Sequence, residues 1–300
     1  MMTDSLIEDG SKTYYVNPNG AMVTNSWVAV EPGEDADADA PAHYWYYFGA
    51  NGQAVKQTGT SLKKKTLNGK TYAFDSDGKM LYGFVDEDGE RLNSDDDPYE
   101  NALYYFGTED DGAMHTDWLL YTDGSSDEAY DDYDEMWFYF KPSTGKKVSD
   151  DETTIRGNKY LFDDKGVMMY DWQNTESSTS TPNKYFSDQY DGHLRKKTWI
   201  WAVPDEDMNE KDYNDDTSRW FYVGSNGKVY QNLRTVNGKK YLFDEDGIMK
   251  AGLQVVSDGK SVGNDAIKDG NGDVTGEEIR TANLGDGTYL YYFGDEETDG

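Results

Sequence analysis

The chain has 300 residues, no cysteine, and 59 Asp and Glu against 28 Lys and Arg, a formal net charge of −31. That charge repels phosphate backbones and anionic lipid surfaces, which argues against nucleic acid and adsorbed membrane as partners. The missing cysteines exclude disulfides, thiolate metal sites and a Cys nucleophile. No apolar run is long enough for a membrane-spanning helix, so no membrane insertion is expected. The start, MetMetThrAspSer, is polar and acidic and does not read as a signal peptide; if the protein is exported, its signal lies outside these residues. Hydrophobic residues make up only 36%, yet aromatics reach 15%, with 25 Tyr, 11 Phe and 8 Trp. Disordered chains are poor in aromatics, so the rings are concentrated where they pack and the acids lie elsewhere.

Taken in chain order, one short unit recurs. Tyr14-Tyr15-Val16 is followed by Asn19-Gly20, Met22 and Trp27; Tyr46-Tyr47-Phe48 by Asn51-Gly52; Tyr72-Ala73-Phe74 by Asp77-Gly78 and Met80. Ten such units are predicted, over about 10–27, 44–58, 68–84, 102–119, 136–149, 156–173, 184–201, 219–233, 237–253 and 288–300, the last ending inside its turn. Each reads as a β-hairpin, because aromatics favour strands and Asn-Gly or Asp-Gly tolerates the positive φ of a tight turn. One hairpin is marginal alone in water, but stacked hairpins share a core. Helical periodicity is nowhere sustained.

A longer period lies above the unit. The stretches beginning at Asn68, Arg156 and Asn237 share one text; Trp45, Trp137 and Trp220 open another type; Trp27, Trp118 and Trp199 close the third. Every third hairpin is therefore equivalent, which predicts an all-β solenoid with about three hairpins per turn.

These residues resemble the cell-wall-binding repeat superfamily. Thr235 to Gly252, ThrValAsnGlyLysLysTyrLeuPheAspGluAspGlyIleMetLysAlaGly, is close to the family pattern. The superfamily includes choline-binding repeats and is similar to the glucan-binding repeats of glucansucrases and the repetitive domains of clostridial toxins. The resemblance implies a left-handed β-hairpin solenoid. It implies pockets between hairpins, where two Trp and a Tyr cage a quaternary ammonium. The implied role is a non-catalytic module on the surface of a Gram-positive bacterium, bound to cell-wall choline or to a polysaccharide or other glycan.

Trp pairs that fit such pockets are Trp27 with Trp45, Trp118 with Trp137, and Trp199 (or Trp201) with Trp220. Tyr47, Tyr139 and Tyr222 share the strand face of their neighbouring Trp. Rings at a hairpin junction also serve as solenoid core, and both readings stay open at this point. Each pair is separated by a long stretch that reads as an insertion between hairpins. Met22, Met80, Met114, Met168 and Met249 stand at the family's Met position, where they read as filling between stacked hairpins.

Four connections carry most of the charge. Residues 31–43, 85–102, 121–135 and 202–218 together account for −25 of the −31. They read either as solvated fringes or as a field that attracts cations. Asp269, Asn271, Asp273, Thr275 and Glu277 alternate as in a calcium loop, but Val274 replaces the turn glycine and Arg280 the bidentate acid. Calcium is the one ion suggested, and no cofactor is required. His43, His115 and His193 lie in dissimilar surroundings, and no nucleotide loop is present, so no catalytic set stands out. Lys63-Lys64-Lys65 reads as a solvated turn. Two rival roles remain: an adhesin or scaffold binding a protein through the acidic loops, and the targeting region of a larger cell-wall or glucan enzyme.

Overall fold

The computed structural model describes residues 3–33, 40–92, 97–122, 135–176, 181–270 and 272–294. Among them ten antiparallel strand pairs follow one another along the chain. In order they are Ser5–Asp9 with Lys12–Val16, Ser26–Val30 with Tyr44–Phe48, Lys63–Leu67 with Lys70–Phe74, Gly83–Val85 with Tyr104–Phe106, and Asp117–Tyr121 with Met136–Phe140. Then come Asp151–Ile155 with Asn158–Phe162, Asp171–Gln173 with Lys184–Phe186, Thr198–Ala202 with Arg219–Val223, Asn232–Val236 with Lys239–Phe243, and Leu253–Ser257 with Thr288–Tyr292. The chain divides into two compact units, residues 1–151 with 162–168 and residues 152–161 with 169–300.

The pairing is offset by half a unit from the one expected. Each aromatic strand is the second strand of its hairpin, and its partner precedes it. Thus Tyr44–Phe48 pairs backwards with Ser26–Val30, setting Trp27 opposite Tyr47. The true hairpin turn of the third pair is Asn68-Gly69, with φ of 50° and 84°, as a two-residue turn of positive φ requires. The later Asp-Gly turn closes only an isolated bridge, Phe74 with Met80. Four of the long stretches read as insertions between hairpins are instead loops within hairpins. Residues 31–43 join the strands of the second pair, 86–103 the fourth, 122–135 the fifth and 203–218 the eighth. The acids at 34–39, 93–96 and 123–134, and the expected final turn at 295–300, lie outside the described residues.

The physical reason is where the returning chain places its N–H groups. After the turn, Leu81 bonds back to its own strand at the Ala73 carbonyl, but Met80 donates its N–H to the Trp45 carbonyl of the preceding hairpin at 2.7 Å. The same stitch recurs in the first unit from Ala54 to Thr13, Met114 to Thr71 and Lys147 to Leu103, all within 2.7–2.8 Å. In the second unit it runs from Leu194 to Lys159 and from Val229 to Asn183. A continuous second ladder would forfeit these bonds and leave buried backbone groups unpaired.

The stitching residue also packs forward onto the next turn. A Cβ at Gly112 would lie 2.4 Å from the Met80 sulfur, and one at Gly145 would lie 2.4 Å from the Met114 sulfur. These methionines therefore fill the gap between hairpins, and the glycines they meet have φ of 52° and 71°. Beneath this ladder lies a row of fully buried rings, among them Phe48, Phe74, Phe106, Phe138 and Phe140 in the first unit and Phe186, Phe221 and Phe243 in the second.

Two further expectations are corrected. Lys63–Leu67 is a strand rather than a solvated turn, and the Lys64 ammonium sits 3.9 Å over the Tyr104 ring. Helices do form, at Glu206–Asn214 and Gly276–Thr281, each opened by a side-chain cap, Asp205 or Thr275. The first was illegible to periodicity because it is kinked at Asn209 and buries only Met208 and Asp212. Caps, not an apolar stripe, define both helices.

Lys147 departs from the pattern of apolar stitching residues. It is buried, and its ammonium donates to the carbonyls of Tyr99, Glu100 and Lys165. Burial pushes its pKa down from 10.5 to about 8. A cation whose folded pKa lies below its unfolded value costs stability while charged, and that cost falls as pH rises through the folded value. The stability of the first unit should therefore rise between about pH 8 and 10, and Lys147→Met should remove the rise in chemical denaturation series. Gly112→Ala should destabilise the same unit by about 2–4 kcal/mol, since the new methyl meets Met80 at a backbone angle that favours glycine. A melting profile unchanged by Gly112→Ala would contradict the packing described.

Candidate functional site: three aromatic corners

The second, fifth and eighth hairpins are two-faced. Strand alternation turns Val28, Val30, Tyr46 and Phe48 of the second to a buried cluster with Tyr15. The opposite face carries Trp27, Trp45 and Tyr47. The fifth hairpin buries Leu119, Met136, Phe138 and Phe140 and presents Trp118, Trp137 and Tyr139 on the other face. The eighth buries Ile200, Phe221 and Val223 and presents Trp199, Trp201, Trp220 and Tyr222.

The two Trp of each expected site thus stand on the two strands of one hairpin rather than at a junction of two. In each, the first Trp lies directly across from the Tyr: Trp27 from Tyr47, Trp118 from Tyr139, Trp199 from Tyr222. Register assigns the repeated position to Trp199, since Trp201 aligns with Ala29 and Leu120.

The ring geometry repeats closely. Trp27 and Trp45 have centroids 6.5 Å apart with planes at 86°; Trp118 and Trp137, 6.3 Å and 85°; Trp199 and Trp220, 6.2 Å and 87°. The facing Tyr closes each corner at 5.3, 5.1 and 5.1 Å from the first Trp. A floor comes from the next hairpin, Phe74, Phe162 or Phe243, lying 5.7–6.0 Å from that Trp. Tyr72 and Tyr241 add a further wall, each 4.9 Å from its Trp. All six Trp are half-buried, while Tyr139 and Tyr222 are buried. By contrast Trp172 is buried core, with its indole N–H bonded to the Val203 carbonyl at 2.8 Å.

The rims differ. At the first corner the Asp110 carboxylate accepts from Trp45 Nε1 at 3.4 Å and lies 3.1 Å from His43 Nε2. At the second, the buried Trp137 Nε1 has no hydrogen-bond partner among the described residues. At the third, the acidic connection 203–218 is a folded element. Its buried Met208 joins the cluster of Trp172, Ile200 and Phe221, and Arg219 grips the buried Asp212 through two bonds of 2.8 Å. The Arg219 guanidinium holds the Asp212 carboxyl below its ordinary value.

The suggested calcium loop uses its donors internally. The Asp269 carboxylate accepts the Asp273 N–H at 3.0 Å, and the Thr275 hydroxyl caps the helix that begins at Gly276. Glu277 lies in that helix's first turn, and Asn271 lies outside the described residues. Among the described residues no three His, Asp or Glu gather as metal ligands. The histidines lie apart, His115 bonding the Trp118 carbonyl and His193 lying beside Asp191. No helix among the described residues is long and apolar enough to cross a membrane.

With this geometry in place, the chain can be set beside known proteins. The putative cell wall binding repeat matches at residues 5–22, 154–168 and 233–249. These are the first, sixth and ninth hairpins, whose strands are joined by two-residue turns rather than long loops, and these three segments are similar to that repeat. Glucosyltransferase-S of Streptococcus mutans serotype c is 25% identical over 239 residues, which is 80% of this chain and 12% of that protein. Glucosyltransferase-S of Streptococcus downei is 28% identical over 209 residues, 70% of this chain and 11% of that protein. The chain thus spans about an eighth of the length of these relatives. The solved structure of CbpJ from Streptococcus pneumoniae TIGR4 shares the fold, with a TM-score of 0.52 and 18% identity over 90% of this chain and 92% of that one.

Asp212 stabilises the third rim only while ionised. Its folded pKa is depressed, so the contribution is present above the unfolded value of about 3.9 and is lost as pH falls through the folded one. Proteolytic cleavage within 203–218 should accelerate below about pH 4, and Asp212→Asn should bring that susceptibility to neutral pH. Equal cleavage of both proteins at pH 7 would show that the ion pair does not hold the loop.

Proposed function

We propose that this chain is a non-catalytic, multivalent binding module that works outside the cell, on the surface of a Gram-positive bacterium. It takes the quaternary ammonium groups of a choline-bearing cell wall at its three aromatic corners. The carrying observation is the threefold recurrence of a right-angled Trp pair closed by a Tyr. Two ring faces at right angles can share one cation where their normals meet. With centroids 6.2–6.5 Å apart, a point equidistant from both rings on such normals would lie about 4.5 Å from each, within the ~6 Å reach of a cation–π contact. A surplus of acids favours a cationic ligand further. Three weak sites along one chain gain avidity without new contacts.

A second reading rests on the relatives: both are named for glucosyl transfer, and this chain covers a small fraction of each. In that reading the module targets a larger enzyme to a glucose polymer, which stacks its apolar C–H faces on the same rings.

Choline chloride should quench or shift the intrinsic Trp fluorescence of the intact chain, and dextran serves as the second arm. Trp45→Ala, Trp137→Ala and Trp220→Ala together should abolish the response, with each single change removing about a third of the sites. A response to dextran alone favours the glucan reading. Silence with both ligands, or a full response from the triple variant, overturns the corner assignment.

A further inference from the structure

The eighth hairpin carries one ring more than the corner uses. Trp201 pairs directly across from Trp220, at the register position held by Ala29 and Leu120 in the equivalent hairpins. It is 57% exposed, although an indole this large is ordinarily covered. Beside it opens a cavity of about 760 Å³ lined by Trp201, Trp220, Met249, Asp216, Thr217, Ser218 and Arg219. That volume lies within the range of small-ligand sites, roughly 300–1,000 Å³.

We infer that Trp201 and this cavity form a separate carbohydrate subsite, which seats one pyranose ring of a neutral oligosaccharide on the exposed indole. The ring geometry differs from that of the three corners. Trp201 and Trp220 have centroids 5.0 Å apart with planes tilted by 48°, so they touch each other instead of framing a corner. What remains is one broad apolar face, which complements the C–H face of a sugar. The rim supplies the polar partners a sugar needs: the exposed Asp216 carboxylate accepts from hydroxyls, the Thr217 hydroxyl, which donates to the Asp215 carbonyl at 3.3 Å, accepts, and the Ser218 hydroxyl donates or accepts.

The subsite is built in advance. Asp216 holds a left-handed backbone, φ 50°, and donates its N–H to the Tyr213 carbonyl at 3.1 Å. The adjoining Arg219 is fixed by its paired bonds to Asp212, and Met208 anchors the loop in the core. A rim held in this way loses little freedom when it binds.

The test uses the full chain labelled with 5-fluorotryptophan and followed by ¹⁹F NMR, with maltohexaose, isomaltohexaose and choline chloride as separate probes. The Trp201 resonance, assigned by its absence from Trp201→Ala, should shift with at least one hexasaccharide and not with choline. Trp201→Ala should weaken that sugar by about tenfold or more. Trp201→Leu, the side chain found at the equivalent position of the fifth hairpin, should weaken it similarly. Trp199→Ala, which dismantles the corner, should leave the sugar-induced Trp201 shift in place. A Trp201 signal that ignores both sugars overturns the inference, as does equal sugar affinity in Trp201→Ala. A Trp201 shift with choline alone also overturns it and makes the site an extension of the corner. Failure of choline at every corner would leave the sugar result standing, so the two assignments fall separately.

Discussion

One backbone hydrogen bond recurs along both compact units: the N–H that a returning strand gives to a carbonyl of the hairpin before it. Met80 to Trp45 is the pattern, and Ala54, Met114, Lys147, Leu194 and Val229 repeat it. The donor is chosen by alternation. Neighbouring residues such as Leu81 turn inward to their own strand, so the residue between them faces the neighbour. The same residue then presses its side chain on the glycine of the next turn. Sequence neighbours thereby become spatial neighbours in a fixed register, the arrangement that lets repeat proteins build a core without long-range topology.

Register in turn decides which face of a hairpin is buried. A slip of one residue in Ser26–Val30 against Tyr44–Phe48 would send Trp27 and Tyr47 into the cluster around Tyr15 and expose Val28 and Phe48. The corners are therefore a by-product of core packing. Phenylalanines fill the inner face, and the Trp rings left on the opposite face of each hairpin meet at 85–87°. The next hairpin completes each corner with the ring that belongs to its own core, Phe74, Phe162 or Phe243.

Much of this was legible in the chain. The repeat and the threefold type follow from spacing, the resemblance points to the aromatic residues, and Trp27, Trp45 and Tyr47 do stand together. The pairing was not legible. Asn19-Gly20 and Asn68-Gly69 are the same dipeptide, but only the second joins two strands of a hairpin. The difference lies in where the following N–H groups find acceptors, and those acceptors sit in another repeat. For the same reason the acidic stretches were placed between hairpins instead of at their tips. Helix Glu206–Asn214 escaped because two caps and one buried Met hold it, too little signal for a period. Tyr72 and Tyr241 could have been found, since both occupy the shared TyrXxxPhe text one hairpin after a Trp pair.

The stitch also has a mechanical meaning. Neighbouring hairpins within a unit are tied by local contacts: backbone bonds such as Met80 to Trp45 and Gln57 to Asp75, side chains seated on glycines, and rings shared across the join. Because a repeat of this kind contacts only its neighbours, a load on the chain is met locally. Such a module yields in small increments and keeps its remaining contacts, like a tether that lengthens before it lets go.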